Sequence, residues 1–198
     1  MDWNQLRLDH LAAVDCVFGP LREPATRAAD AIAAALRAGG RILACGNGGS
    51  AADAQHFAAE LVNRFLLEHV PYAAIALTTD SSVLTSIAND YAYDQVFSKQ
   101  VQALGRPGDV LLAISTSGTA RNVNEAARAA RAIGMSVVAL TGKTGGDLAP
   151  LASPGLLLQI TATPVTARIQ EAHELLLHAL CQLVEETLAA SPSPPPRA

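Results

Sequence analysis

The sequence predicts an α/β protein built on a doubly wound, five-stranded parallel sheet of flavodoxin-like type, flanked by helices. Three observations predict it. Short runs of consecutive apolar residues alternate with helical stretches, the pattern of parallel strands covered on both faces. The first four of these runs lead into loops rich in Gly, Ser and Thr, at 46–50, 78–82, 115–119 and 141–146, where the carboxyl ends of such strands carry ligand sites. The length, 198 residues, suits one sizeable domain rather than two.

Residues from about Trp3 to Phe18 and from Glu23 to Arg37 have helical periodicity, with Pro20 between them and Gly39-Gly40 stopping the second. The first strand is Arg41 to Cys45, and a helix follows from near Ser50. Ala73 to Leu77 is the second strand, followed by the cap-rich loop Thr78-Thr79-Asp80-Ser81-Ser82 and a short helix. Asp109 to Ile114 is the third, with a helix from Asn122 to Ile133, and Ser136 to Leu140 is the fourth. Leu156 to Ile160 completes the sheet. A last helix, from about Ala167 to Leu188, is apolar around much of its circumference. Such a helix needs cover on several sides, so the terminal helices are expected to pack in an oligomer. Residues 1–190 are therefore one domain, and the proline-rich stretch 191–198 is expected to be disordered.

Half of the residues are hydrophobic but only 4% are aromatic, which favours tight helix contacts made by alanine and leucine. No apolar run reaches the roughly 18 residues of a membrane span, and the polar start Met1-Asp2-Trp3-Asn4-Gln5 has no signal-peptide pattern. The expectation is a cytoplasmic protein without membrane contact. Eighteen acids against 14 bases, with no basic block, argue against nucleic-acid binding. Cys16, Cys45 and Cys181 have no metal-ligand spacing and read as free thiols in a reducing compartment.

The loop Gly46-Asn47-Gly48-Gly49-Ser50-Ala51 fits the looser dinucleotide pattern GxGxxA. The fingerprint also needs an acid at the end of the second strand, and neither Glu68 nor Asp80 falls there. A P-loop at Gly142-Lys143-Thr144 fails because Val137 replaces its first glycine. Ser115-Thr116-Ser117-Gly118-Thr119 offers four hydroxyls and a glycine ahead of a helix, more donors than capping requires, and points to a bound phosphate. His56 and Glu60 share one helix face, as a solvated pair, a metal-ligand pair or an acid/base pair. Gln170 and His178 lie eight residues, about 12 Å, apart on the last helix, with His173 and Glu174 as rival contacts.

The stretches Cys45 to Glu60, Ile87-Ala88-Asn89-Asp90, Gly108 to Gly118, Leu140 to Lys143 and Arg168 to His173 together resemble the phosphoheptose isomerase family of the sugar-isomerase (SIS) fold. The resemblance runs from about residue 30 to 188. It implies conversion of the seven-carbon sugar sedoheptulose 7-phosphate to D-glycero-D-manno-heptose 7-phosphate, toward ADP-heptose for bacterial lipopolysaccharide. It also implies a cytoplasmic homotetramer with active sites between subunits. By position, Asn47, Gly48, Gly49 and Ser50 match the substrate loop, Ser115, Thr116, Ser117 and Thr119 the phosphate cradle, and Asn89 and Asp90 further substrate contacts. His56, Glu60, Gln170 and His178 match the family's zinc-holding residues, one Zn2+ per subunit, with Gln170 also reaching substrate. Glu60 and His178 match the proton-transfer pair. Ala120 departs from the family, which commonly has serine there. Aldose–ketose isomerisation through an enediol needs such a base and acid, with a metal polarising the carbonyl. A second reading is the non-catalytic SIS-fold tetramer that binds the bacterial replication initiator, which the resemblance also covers; such proteins have lost the catalytic positions.

Overall fold

The computed structural model describes residues 1–190; the predicted disordered segment 191–198 lies outside the described residues. The chain runs α1 (Trp3–Phe18), α2 (Arg22–Arg37), β1 (Ile42–Cys45), α3 (Gly49–Val62), β2 (Ala74–Ala76), α4 (Ser81–Asp90), α5 (Ser98–Leu104), β3 (Val110–Ser115), α6 (Arg121–Ile133), β4 (Ser136–Gly142), β5 (Leu157–Ile160) and α7 (Thr166–Ala189). All strand pairs are parallel, in the order β2-β1-β3-β4-β5. The expected five-stranded sheet is therefore present, in the doubly wound order whose direction of growth reverses between β1 and β3.

The strands β1, β3 and β4 are almost wholly buried, and their side chains alternate between two cores. Ile42, Ala44, Val110, Leu112, Ile114, Val138 and Leu140 face α1, α2, α3 and α7. Leu43, Cys45, Leu111, Ala113, Val137 and Ala139 face α5 and α6, with α4 at the margin. This two-sided burial is why the strands read as unbroken apolar runs. At the edge, β2 is wetter, with Ile75 39% exposed.

Helix ends follow local chemistry. Asp2 accepts from the amides of Asn4 and Gln5 at the start of α1, and Asp80 accepts from Val83 N–H at the start of α4. Gly134 ends α6 in the left-handed conformation, with φ of 92°. One expectation changes in its physical basis. The apolar circumference of α7 is covered within this chain, by α1, α2, α3 and the sheet, so it does not require a second copy.

Candidate active site

The reversal of strand order sends α3 and α6 to opposite faces of the sheet from the adjacent strands β1 and β3. A crevice opens between them, as such a switch point dictates. It holds a cavity of about 200 Å³ lined by Asn47, Ser50, Ile114, Ser115, Thr116, Ser117 and Ala120. Neither α3 nor α6 has a side-chain hydrogen bond from its cap residue, so two positive helix ends open beside hydroxyl groups. Hydroxyls and helix amides together can take a phosphate without a cationic side chain.

The 115–119 loop is held in shape by its own side chains. Ser115 Oγ accepts from Gly118 N–H at 3.2 Å, Ser117 Oγ accepts from Thr119 N–H at 3.2 Å, and the Ser117 and Thr119 hydroxyls share a 2.8 Å bond. Gly118, with φ of 71°, presses so closely on the Gly145 backbone that a Cβ would overlap it. That contact locks the loop to the 142–146 turn. Ala120 presents a methyl group to the cavity.

Asn47 is fixed from two sides. It and the buried Asn122 exchange amide hydrogen bonds of 2.8 Å in both directions, and Tyr93 donates its hydroxyl to Asn47 Oδ1 at 3.1 Å. Asn122 Oδ1 also accepts from Val123 N–H at 2.9 Å, so its orientation is set by backbone. Neither Asn122 nor Tyr93 was singled out from sequence. The readable signal was an asparagine in the first turn of the helix after the cradle. Asn89 and Asp90 occupy the exposed end of α4, where Asn89 Nδ2 donates to Asp90 Oδ1 at 2.8 Å. Neither lines the cavity.

The second half of the site comes from α3 and α7, which run side by side in the same sense. His56 Nε2 lies 2.9 Å from His178 Nε2, and Glu174 Oε1 lies 3.3 Å from both. On the other side of its ring, His56 Nδ1 lies 3.6 Å from Glu60 Oε1. All four side chains are partly exposed, so the group faces solvent rather than the core. Gln170, two turns before His178, sits farther up α3. Its amide packs directly on Gly49, where a Cβ would overlap it, and hydrogen bonds to Asp53. The helical rise between 170 and 178 thus carries them to different turns of α3. Asp53 is buried, with its Oδ2 unpartnered. Burial above all, then the charge of Glu174, raises its pKa to about 6, against the pull of Gln170 and His56.

Sequence reading missed what orients His178. Phe65 stacks on its ring with centroids 5.3 Å apart and planes at 24°. Phe65 is held in turn by the buried Glu185, whose carboxylate accepts from the amides of Phe65, Leu66 and Leu67 at 2.7, 2.9 and 2.9 Å. His69 Nε2 lies 3.2 Å from the same carboxylate. Burial pushes the Glu185 pKa up, but the three amides and His69 outweigh it and the net direction is down. The available signal was a carboxylate in register with the apolar stripe of Leu177, Leu180, Cys181 and Val184. His173, one of the rival contacts, is fully buried with Nε2 3.0 Å from the Thr141 carbonyl, and burial lowers its pKa to about 4. It is a core histidine that ties α7 to β4.

Comparison with known proteins places this architecture. Residues 13–142 match the model of the SIS domain, so the chain belongs to the SIS domain family. The phosphoheptose isomerase of Azoarcus sp. (strain BH72) is 58% identical over 175 residues, covering 88% of this chain and 87% of that one. That of Thiobacillus denitrificans (strain ATCC 25259 / T1) is 61% identical over 153 residues, covering 77% and 78%. The structure of a phosphoheptose isomerase from Neisseria gonorrhoeae superimposes with a TM-score of 0.85 at 49% identity, covering 92% of this chain and 96% of that one. One from Francisella tularensis gives 0.87 at 38%, covering 92% and 95%. Within the SIS family, this chain belongs with the phosphoheptose isomerases.

Proposed function

We propose that this protein is an aldose–ketose isomerase that interconverts sedoheptulose 7-phosphate and D-glycero-D-manno-heptose 7-phosphate through an enediol. The observation that carries the reading is the meeting of His178 from α7 with His56, and through it Glu60, on α3, in a chain 58% and 61% identical to two phosphoheptose isomerases over 175 and 153 aligned residues. The phosphate binds among Ser115, Thr116, Ser117 and Thr119 and the amides opening α3 and α6. Asn47, Gly48, Gly49, Ser50, Asn89, Asp90 and Gln170 take the sugar hydroxyls.

The reaction moves one proton between neighbouring carbons. Glu60 removes a proton from C1 of the ketose as the C1–C2 enediol forms, and returns it to C2 of the aldose. His178 carries a proton between O1 and O2, a task suited to an imidazole. No proton is consumed overall.

The donor set fits a divalent metal: two imidazoles and two carboxylates gather in one place, and a buried Asp53 oxygen beside them is unpartnered. By family likeness Zn2+ is held by His56, Glu60, Gln170 and His178. When bound it polarises the substrate carbonyl and spreads enediolate charge. The setting is the cytoplasm, as a homotetramer with interfacial sites, in the route to ADP-heptose and lipopolysaccharide core. Residues 1–190 form its single domain. The initiator-binding alternative is not favoured, because Glu60 and His178, positions such relatives have lost, are both present.

Incubating the full chain with sedoheptulose 7-phosphate and identifying the product by NMR tests the proposal. Accumulation of the heptose 7-phosphate, sensitive to a chelator, is expected. Absence of any aldose product, with or without added Zn2+, would overturn it.

A further inference from the structure

We infer that Asn122 and Tyr93 are positioning residues that fix the Asn47 side chain as a hydrogen-bond donor, and not an acceptor, toward the sugar, an assignment that deepens the isomerase reading and rests on it for the identity of the ligand.

The polarity of Asn47 follows from a backbone amide. Val123 N–H can only donate, and it donates to Asn122 Oδ1 at 2.9 Å, so the other end of the buried Asn122 amide is its NH2 group. That group needs an acceptor, and it meets Asn47 Oδ1 at 2.8 Å. Tyr93 donates its hydroxyl to the same oxygen at 3.1 Å. Both lone pairs of Asn47 Oδ1 are then taken. On the nitrogen side, one N–H of Asn47 donates to Asn122 Oδ1 at 2.8 Å. What Asn47 has left to offer a ligand, at the wall of the cavity, is its second N–H.

The same bonds preorganise the loop. Asn47 stands between Gly46 and Gly48, and a segment so rich in glycine has much conformational freedom to lose when a ligand orders it. Here the ordering precedes binding. Ser50 N–H donates to the Asn47 carbonyl at 3.0 Å, while the side chain is held by α6 through Asn122 and by the turn after α4 through Tyr93. A sugar oxygen that reaches Asn47 therefore meets a donor already in place. Neither Asn122 nor Tyr93 lines the cavity, so both act through Asn47.

A purely architectural tie between the loop and α6 would use these bonds too, but the two roles differ in one measurable respect. A positioning residue loses its influence on the sugar once Asn47 is gone, whereas a tie that shapes the whole loop keeps it.

The test is calorimetric titration of the full chain with sedoheptulose 7-phosphate that has first been incubated with wild-type protein and then freed of it, so that every variant meets the same ligand. Asn47→Ala is expected to weaken binding about fivefold, the loss of one hydrogen bond. Asn122→Leu is expected to weaken it about fivefold alone, and by less than about twofold when added to Asn47→Ala. Should Asn122→Leu fail to fold, Tyr93→Phe, at an exposed side chain, decides: a loss of about threefold alone and none on top of Asn47→Ala supports the assignment. Equal losses with and without Asn47, or unchanged affinity in the Asn122 and Tyr93 variants alone, would overturn it. Wild-type protein that binds the sugar phosphate without isomerising it would sink the proposed function and leave this comparison to be decided by binding; wild-type protein that does not bind it would overturn both.

Discussion

The hydroxyl-rich 115–119 loop and the histidine cluster are built in opposite ways. The loop is local: within five consecutive residues between a strand and a helix, Ser115 bonds to Gly118 and Ser117 to Thr119. The cluster is assembled across the chain, since His56 and His178 are 122 positions apart and meet only because α3 and α7 pack together. A local site inherits its geometry from loop and helix-end chemistry. A non-local one is only as exact as the docking that holds it, here His173 on Thr141 and Glu185 on the 65–67 amides.

Acid should separate the two regions most. His173 has a folded-state pKa of about 4, below its ordinary 6.5, so neutral His173 contributes stability that is present above pH 6.5 and is lost as the pH falls toward 4. The shift corresponds to a loss on the order of 3 kcal/mol. Urea unfolding at pH 8 and pH 4.5 should show that loss in the wild type and a shallower one in His173→Gln; equal slopes would show that α7 docking does not depend on this group.

A cradle change should act on binding rather than on chemistry. Ser117→Ala removes a hydroxyl from the cavity and is expected to raise KM about tenfold, as for one hydrogen bond to a charged group, with kcat nearly unchanged. Steady-state kinetics reads the split, and a fall in kcat alone would break the contrast between the regions. The smallest effect expected is a gain. Ala120→Ser adds a hydroxyl both at the cavity wall and at the N-cap of α6, which should raise stability by about 1 kcal/mol and lower KM by roughly threefold. Thermal melts and kinetics on one preparation check both.

This contrast also governs what could be read from sequence. The strands were legible because burial on both faces makes the runs 110–114 and 137–140 apolar throughout. α5, only seven residues long, has too few turns to register a period and was not read. The hydroxyls of 115–119 were visible because their chemistry is contiguous. Asn122, Tyr93, Phe65 and Glu185 were not, because their meaning lies in partners 46 to 120 residues away. Glu174 was visible only as a rival contact to Gln170 and His178, since residue spacing along α7 does not say which turn of α3 each side chain meets. The apolar circumference of α7 was read correctly as a need for cover, but the cover comes from α1, α2 and α3 of the same chain.

The central claim, proton transfer between adjacent carbons by Glu60, is tested most directly by running the isomerisation in D2O and following the label by NMR. Wild-type protein should place solvent deuterium at C2 of the heptose 7-phosphate, and Glu60→Gln, folded and binding phosphate normally, should form no labelled product. Undiminished conversion by Glu60→Gln would contradict the account.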